Sequence, residues 1–106
     1  MNELTSIEYD RILEYLSLVV DPELGVNIVD LGLISDLALN GNILTIKMTL
    51  TYAGCPLTEA IREEIELTLK PFNHEVKIEW IWLPPWDQSK ITNSGREQLI
   101  ALGMNF

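Results

Sequence analysis

Apolar residues recur along this chain with two periods, and the switches between them mark its elements. Tyr9, Ile12, Leu13, Leu16, Val19 and Val20 fall at helical spacing. Thr5 and Glu8 ahead of them have capping-box spacing, so a first helix is expected to start near Thr5, with residues 1–4 as a frayed end. Asp21-Pro22-Glu23-Leu24-Gly25 should stop it, because proline disfavours a helical residue before it and Asp-Pro opens tight turns. A loop from Val26 then leads into a strand over Leu33–Leu39. Asn40-Gly41-Asn42 is a strong hairpin signal. Its partner strand, Ile43–Thr51, alternates Leu44, Ile46, Met48 and Leu50 on one face with Thr45, Lys47, Thr49 and Thr51 on the other.

Helical spacing returns with Leu57, Ala60, Ile61, Ile65 and Leu69, and the helix should end near Lys70, before Pro71-Phe72-Asn73. Val76–Trp82 reads as a third strand whose Val76, Ile78, Trp80 and Trp82 share one face, which assigns Trp80 and Trp82 to the core. Pro84 and Pro85 lack the donor that an inner strand needs. A last helix is expected from Thr92–Ser94 to about Leu102, terminated by Gly103. The order helix, two strands, helix, strand, helix predicts an α+β two-layer domain over residues 1–106. A small, three-stranded, largely antiparallel sheet would pack against the helices.

Composition narrows the function more than the fold. Sixteen acidic against seven basic residues give a formal charge of -9. Phosphate backbones are held through lysine and arginine, so this balance argues against nucleic acid, and equally against an anionic membrane surface. No apolar run is long enough for a membrane span, the N-terminus has no signal-peptide pattern, and one cysteine forms no intrachain disulfide. A cytoplasmic location is expected.

That cysteine, Cys55, stands before Pro56 and the helix that follows. Proline suits the first helical position, which puts Cys55 at the cap of a helix N-terminus. Unpaired N–H groups and the helix dipole there favour the thiolate, the form that binds metal or attacks electrophiles. The plainer reading is a small packed apolar residue. The only histidine, His74, lies past the far end of this helix, roughly 22 Å away for about fifteen residues. A Cys–His hydrolase is therefore disfavoured, and without a second cysteine dithiol chemistry needs another molecule.

One thiolate cannot close a metal site but suits soft, iron–sulfur-type ligation in an open, labile site. Asp21, Glu23 and Asp30 are candidate carboxylates beside it, the alternative being turn-making and capping, which suits Asp21 best. Thr49 and Thr51 could bring hydroxyls toward the cysteine loop, although strand threonines more often face solvent. Trp86, after Pro84-Pro85, is either a partner-docking aromatic or a packed one.

Several stretches together resemble the small iron–sulfur cluster assembly domain family that includes SufT and the PaaD-like proteins. They are Val20-Asp21-Pro22-Glu23-Leu24-Gly25, Ile28-Val29-Asp30-Leu31-Gly32-Leu33-Ile34, Met48-Thr49-Leu50-Thr51 with Gly54-Cys55-Pro56, and Pro84-Pro85-Trp86. The resemblance implies a two-layer domain and an accessory role, not an enzyme's, in maturing iron–sulfur proteins. It places the family's reactive cysteine on Cys55 and its acidic turn on Asp21 and Glu23. The chain lacks a cysteine-rich C-terminal extension and so looks closer to the stand-alone SufT type than to a PaaD-like factor for an oxygenase of phenylacetyl-CoA breakdown.

The expected function is cluster assembly or delivery, with scaffold and client apo-proteins as partners. No cofactor is expected to be held firmly, and iron or a cluster would be met transiently at Cys55. A homodimer in which two Cys55 thiolates share a site is compatible with this. The rivals are an adaptor that joins scaffold and client through Trp86 and the acidic face, and, ranked last, a thiol enzyme.

Overall fold

The computed structural model describes residues 4–51 and 58–103. Helix α1 spans Ser6–Leu16. It starts where the capping box requires: Thr5 Oγ1 accepts the Glu8 N–H at 3.1 Å, and Glu8 Oε1 accepts the Thr5 N–H at 3.3 Å. The helix stops short of the expected Val20. The backbone of residues 19–21 bonds sideways instead, with Ile28 N–H donating to Val19 O at 2.9 Å and Asp21 N–H to Val26 O at 3.0 Å. Val20 and Asn27 form an isolated antiparallel bridge, so the acidic turn between them is the tip of a small hairpin-like loop.

Strands β1 (Ile34–Asn40) and β2 (Ile43–Met48) pair antiparallel, with Ala38 opposite Thr45 and Asn40 opposite Ile43. Gly41, at φ +61°, takes the left-handed conformation that this two-residue connection needs. Helix α2 (Thr58–Thr68) and a short 3-10 turn at Lys70–Phe72 lead to β3, Glu75–Trp80. β3 pairs with β2 in parallel, Ile46 opposite Ile78, and the strand order is β1-β2-β3. The sheet is therefore mixed, with one antiparallel and one parallel pairing. The cause is the connection: a tight hairpin reverses the chain, whereas a crossover helix carries it back to run beside β2 in the same direction.

Leu44, Ile46 and Met48 of β2 are fully buried, in one core with Leu37, Ile78, Ile12 and Leu16 of α1, and Ile61 and Ile65 of α2. The opposite face of β2 carries the half-buried Thr45 and Lys47 between the exposed Asp36, Ala38, Lys77 and Glu79 of its neighbours. This alternation ends earlier than expected. Both regular strands stop at Met48 and Trp80, and Thr49 and Leu50 are consecutive buried residues. Trp82 lies beyond β3 but stacks on Trp80, with ring centroids 5.9 Å apart and planes 11° off parallel. Both indoles are half-buried against the core, as the alternation predicts.

Helix α3 (Asn93–Ala101) closes the fold, with Thr92 as its N-cap, its Oγ1 accepting the Gly95 N–H at 3.0 Å, and Gly103 at φ +92° past its end. The segment before α3 crosses Gly32 closely. A Cβ there would stand 2.1 Å from the Lys90 carbonyl oxygen, and its φ of +73° already favours glycine. Gly41 also has positive φ, but a Cβ there meets nothing within 4 Å. Gly32→Ala is expected to cost more than about 2 kcal/mol, because strain and a backbone clash combine. Gly41→Ala should show the smaller cost of strain alone. Urea denaturation of the two variants checks the difference, and equal losses would contradict it.

Candidate functional site

The acidic turn is built by Asp21. Its side chain is buried at 2 % exposure, and its Oδ1 accepts the N–H of Glu23 at 2.8 Å and of Leu24 at 3.3 Å. Its carbonyl accepts the Gly25 N–H at 2.8 Å. This is an Asx-type turn, so the carboxylate's first task is to hold backbone donors. Glu23 is exposed on the same turn. Beside it runs a groove of about 340 Å³ lined by Leu18, Val20, Pro22, Ala60, Ile61 and Glu64. The fold thus brings the acidic turn against the N-terminal half of α2, the helix that Cys55 precedes by three positions in sequence. Cys55 itself, and its expected place at the helix cap, lie outside the described residues.

Thr49 does not stand on the open face of the sheet. It is 7 % exposed, donates its N–H to Leu33 O at 2.9 Å, and turns its hydroxyl onto the Leu50 carbonyl at 3.2 Å. Thr51 is half-buried at the edge of the described segment. His74 sits beyond the C-terminal end of α2, with Nδ1 3.4 Å from Asn42 Oδ1 beside the β1–β2 hairpin. His74 thus lies at the opposite end of α2 from Thr58, its first residue. Among the described residues, no group of three or more His, Cys, Asp or Glu side chains could hold a metal ion.

Asp30 serves a different junction. Oδ2 accepts from Asn27 Nδ2 at 2.8 Å and Gln98 Nε2 at 2.9 Å, and Oδ1 accepts from Thr92 Oγ1 at 3.0 Å. Its carbonyl accepts the Thr92 N–H at 2.8 Å, and Asn27 Oδ1 accepts the Asp30 N–H at 2.8 Å. Burial pushes the carboxyl upward, but hydrogen bonds from Asn27, Thr92, Gln98 and Ser94 together outweigh it and hold the carboxyl below its ordinary value. Asp30 therefore fastens the N-terminus of α3 to the loop before β1. Gly95 makes this approach possible, since a Cβ there would lie 2.7 Å from Asp30 O. Of these partners only Asn27 was close enough in sequence to suggest the contact; Thr92 and Gln98 lie 62 and 68 positions away.

Trp86 is half-buried against the core, and its Nε1 donates to Leu31 O at 2.7 Å. Its hydrogen bond thus meets the chain one residue after Asp30. The exposed part of this stretch is instead Leu83 with Pro84 and Pro85, Leu83 being 83 % exposed.

Residues 9–80 match the family profile described as iron-sulfur cluster assembly protein. The chain belongs to this family. The matched stretch contains the acidic turn, Asp30, both threonines and Cys55, and stops before Trp86 and α3. The Fe-S protein maturation auxiliary factor YitW of Bacillus subtilis is 41% identical over 98 residues, which span 90% of this chain and 93% of that protein. The Fe-S protein maturation auxiliary factor SufT of Staphylococcus aureus is 33% identical over 91 residues, 83% of this chain and 100% of its own. A crystal structure of a domain of unknown function from Bacillus anthracis superposes with a TM-score of 0.79 at 34% identity, covering 91% of this chain and 92% of that one.

Because its folded-state pKa is lowered, Asp30 contributes stability that is present above the ordinary carboxyl value of 3.8 and is lost as pH falls through the folded value. Asp30→Asn should therefore destabilise the protein near neutral pH, and its deficit relative to wild type should shrink below pH 3.8. Thermal melts of both proteins across that range test this. A deficit that does not change with pH would assign the loss to geometry and not to charge.

Proposed function

We propose that this protein is an accessory factor in iron–sulfur cluster assembly or delivery, with Cys55 as the transient contact for iron or a cluster. The observation that carries the reading is the near full-length match to proteins named Fe-S protein maturation auxiliary factors. Chemistry supports it. A thiolate preceding a helix N-terminus is a soft ligand, and one such ligand leaves coordination open, which suits transfer better than storage. On binding iron the thiol loses its proton and the sulfur donates a lone pair, so the site needs no redox partner of its own. Cargo, not a resident cofactor, is what this site would meet.

Asp21 and Glu23 support Cys55 in this proposal by forming the turn that sets Pro22 in the wall of the groove along α2 and by placing negative charge beside it. Thr49 and Thr51 anchor the chain where it leaves β2 toward Cys55. Asp30 supports it indirectly, by holding the loop that follows the acidic turn. Scaffold and client apo-proteins are the partners, in the cytoplasm, and the protein performs no turnover.

The adaptor reading is weaker at one point. Trp86, its proposed docking aromatic, spends its indole N–H on Leu31 and packs against the core, so its replacement would disturb the fold before it disturbed a partner.

Anaerobic loading of the purified protein with iron and sulfide, beside Cys55→Ala, tests the proposal. Wild type should bind iron with a thiolate charge-transfer absorption, and the variant should lose it while keeping its circular dichroism. Equal binding by both, or cells carrying only Cys55→Ala with fully active iron–sulfur enzymes, would sink the role given to Cys55.

A further inference from the structure

β3 is a terminal strand of the sheet, and its hydrogen-bonding parity is fixed. Glu75 donates its N–H to Asn42 O at 2.8 Å and Ile81 donates to Met48 O at 2.8 Å. By strand alternation Lys77 and Glu79 also turn their backbone groups toward β2. Val76, Ile78 and Trp80 turn theirs away from the sheet. Among the described residues no strand pairs along that side. The other terminal strand is different: the β1 register shifts between Ile34 and Asp36, an irregularity of the kind that blunts an edge. β3 runs in unbroken register with β2 from Glu75 to Trp80 and contains no proline.

Lysine on a sheet edge commonly discourages pairing. Here Lys77 is followed two residues later by Glu79, on the same exposed face. A second copy of β3 running antiparallel can meet it in several registers that match backbone parity. Centred on Lys77, the pairing sets Lys77 against the partner's Lys77 and Glu75 against the partner's Glu79, which is repulsive. Centred on Ile78, it sets Lys77 against the partner's Glu79 and Glu79 against the partner's Lys77. On the core side it places Val76 beside the partner's Trp80. Opposite charges directly across a strand pair attract, and like charges repel.

We propose that β3 is the self-association edge of this protein, pairing antiparallel about a two-fold axis at Ile78 to join two three-stranded sheets into one. A single strand edge is a small contact, and each copy carries a formal charge of -9, so the association is weak and reversible. The isologous geometry puts the same patch of both copies in the contact and so closes at two. The inference is independent of the role proposed for Cys55.

Sedimentation of the full chain over a concentration series, at physiological salt, reads the proposal. Wild type should show a monomer–dimer equilibrium. Lys77→Glu and Glu79→Lys should each weaken it by about tenfold or more, since each reversal sets like charges opposite one another at both symmetry-related positions. Mixing the two variants, or combining both changes in one chain, should restore it. Amide hydrogen exchange gives a second reading that needs no variant: the Val76, Ile78 and Trp80 amides should slow as concentration rises. Wild type that stays monomeric throughout would overturn the proposal. So would a dimer indifferent to both reversals, or one whose Val76, Ile78 and Trp80 amides remain unprotected.

Discussion

Burial of one face of β2 is the constraint on which the rest of this structure depends. Leu44, Ile46 and Met48 are inaccessible to solvent, and each contributes about 1.5–3 kcal/mol by leaving water. The strand can bury them only if both its neighbours are in register, because a slip of one residue would turn Thr45 and Lys47 inward. The hairpin at Gly41 sets the register on one side. On the other side α2 sets it, by covering the apolar face with Ile61 and Ile65 while returning the chain to begin β3 beside Ile43.

That arrangement aims the candidate site. β2 ends at Met48, and the chain then passes Thr49 and Leu50, both buried, on its way to residues 52–57 and the start of α2. Consecutive burial holds the exit from the strand firmly on both sides. The acidic turn reaches the same helix from another direction, because the bridge between Val20 and Asn27 folds it back over α1's end. The hairpin tip and the first turns of α2 thus border one groove, though they are separate in sequence.

The second polar junction has a structural role. Asp30 ties Asn27, Thr92 and Gln98 together, and Trp86 reaches Leu31 one residue away. Through them the C-terminal third of the chain is attached to the loop before β1, in a region where buried apolar contact is supplied mainly by Ile91 and Leu99. Directed hydrogen bonds to an ionised carboxylate suit that task, since they specify a position as well as stabilise it. This explains why a carboxylate that looks available in sequence is already occupied in the fold.

What the sequence determined by itself was local. The capping box at Thr5 and Glu8, the turn at Gly41, the alternation of β2 and the stop at Gly103 rest on neighbouring residues, and each is present in the structure. The α+β class and the family followed from their order and from motifs at fitting distances. Tertiary structure decided whatever depended on partners distant in the chain. It ended α1 at Leu16 because residues 19–21 found better backbone partners at 26–28, and made the β2–β3 pairing parallel through the α2 crossover. It turned Thr49 inward, and it committed Asp30 and Trp86 to internal contacts. Periodicity reports which face of an element is apolar. It carries no information on which remote donor will meet a carboxylate, because that is set by how the faces pack.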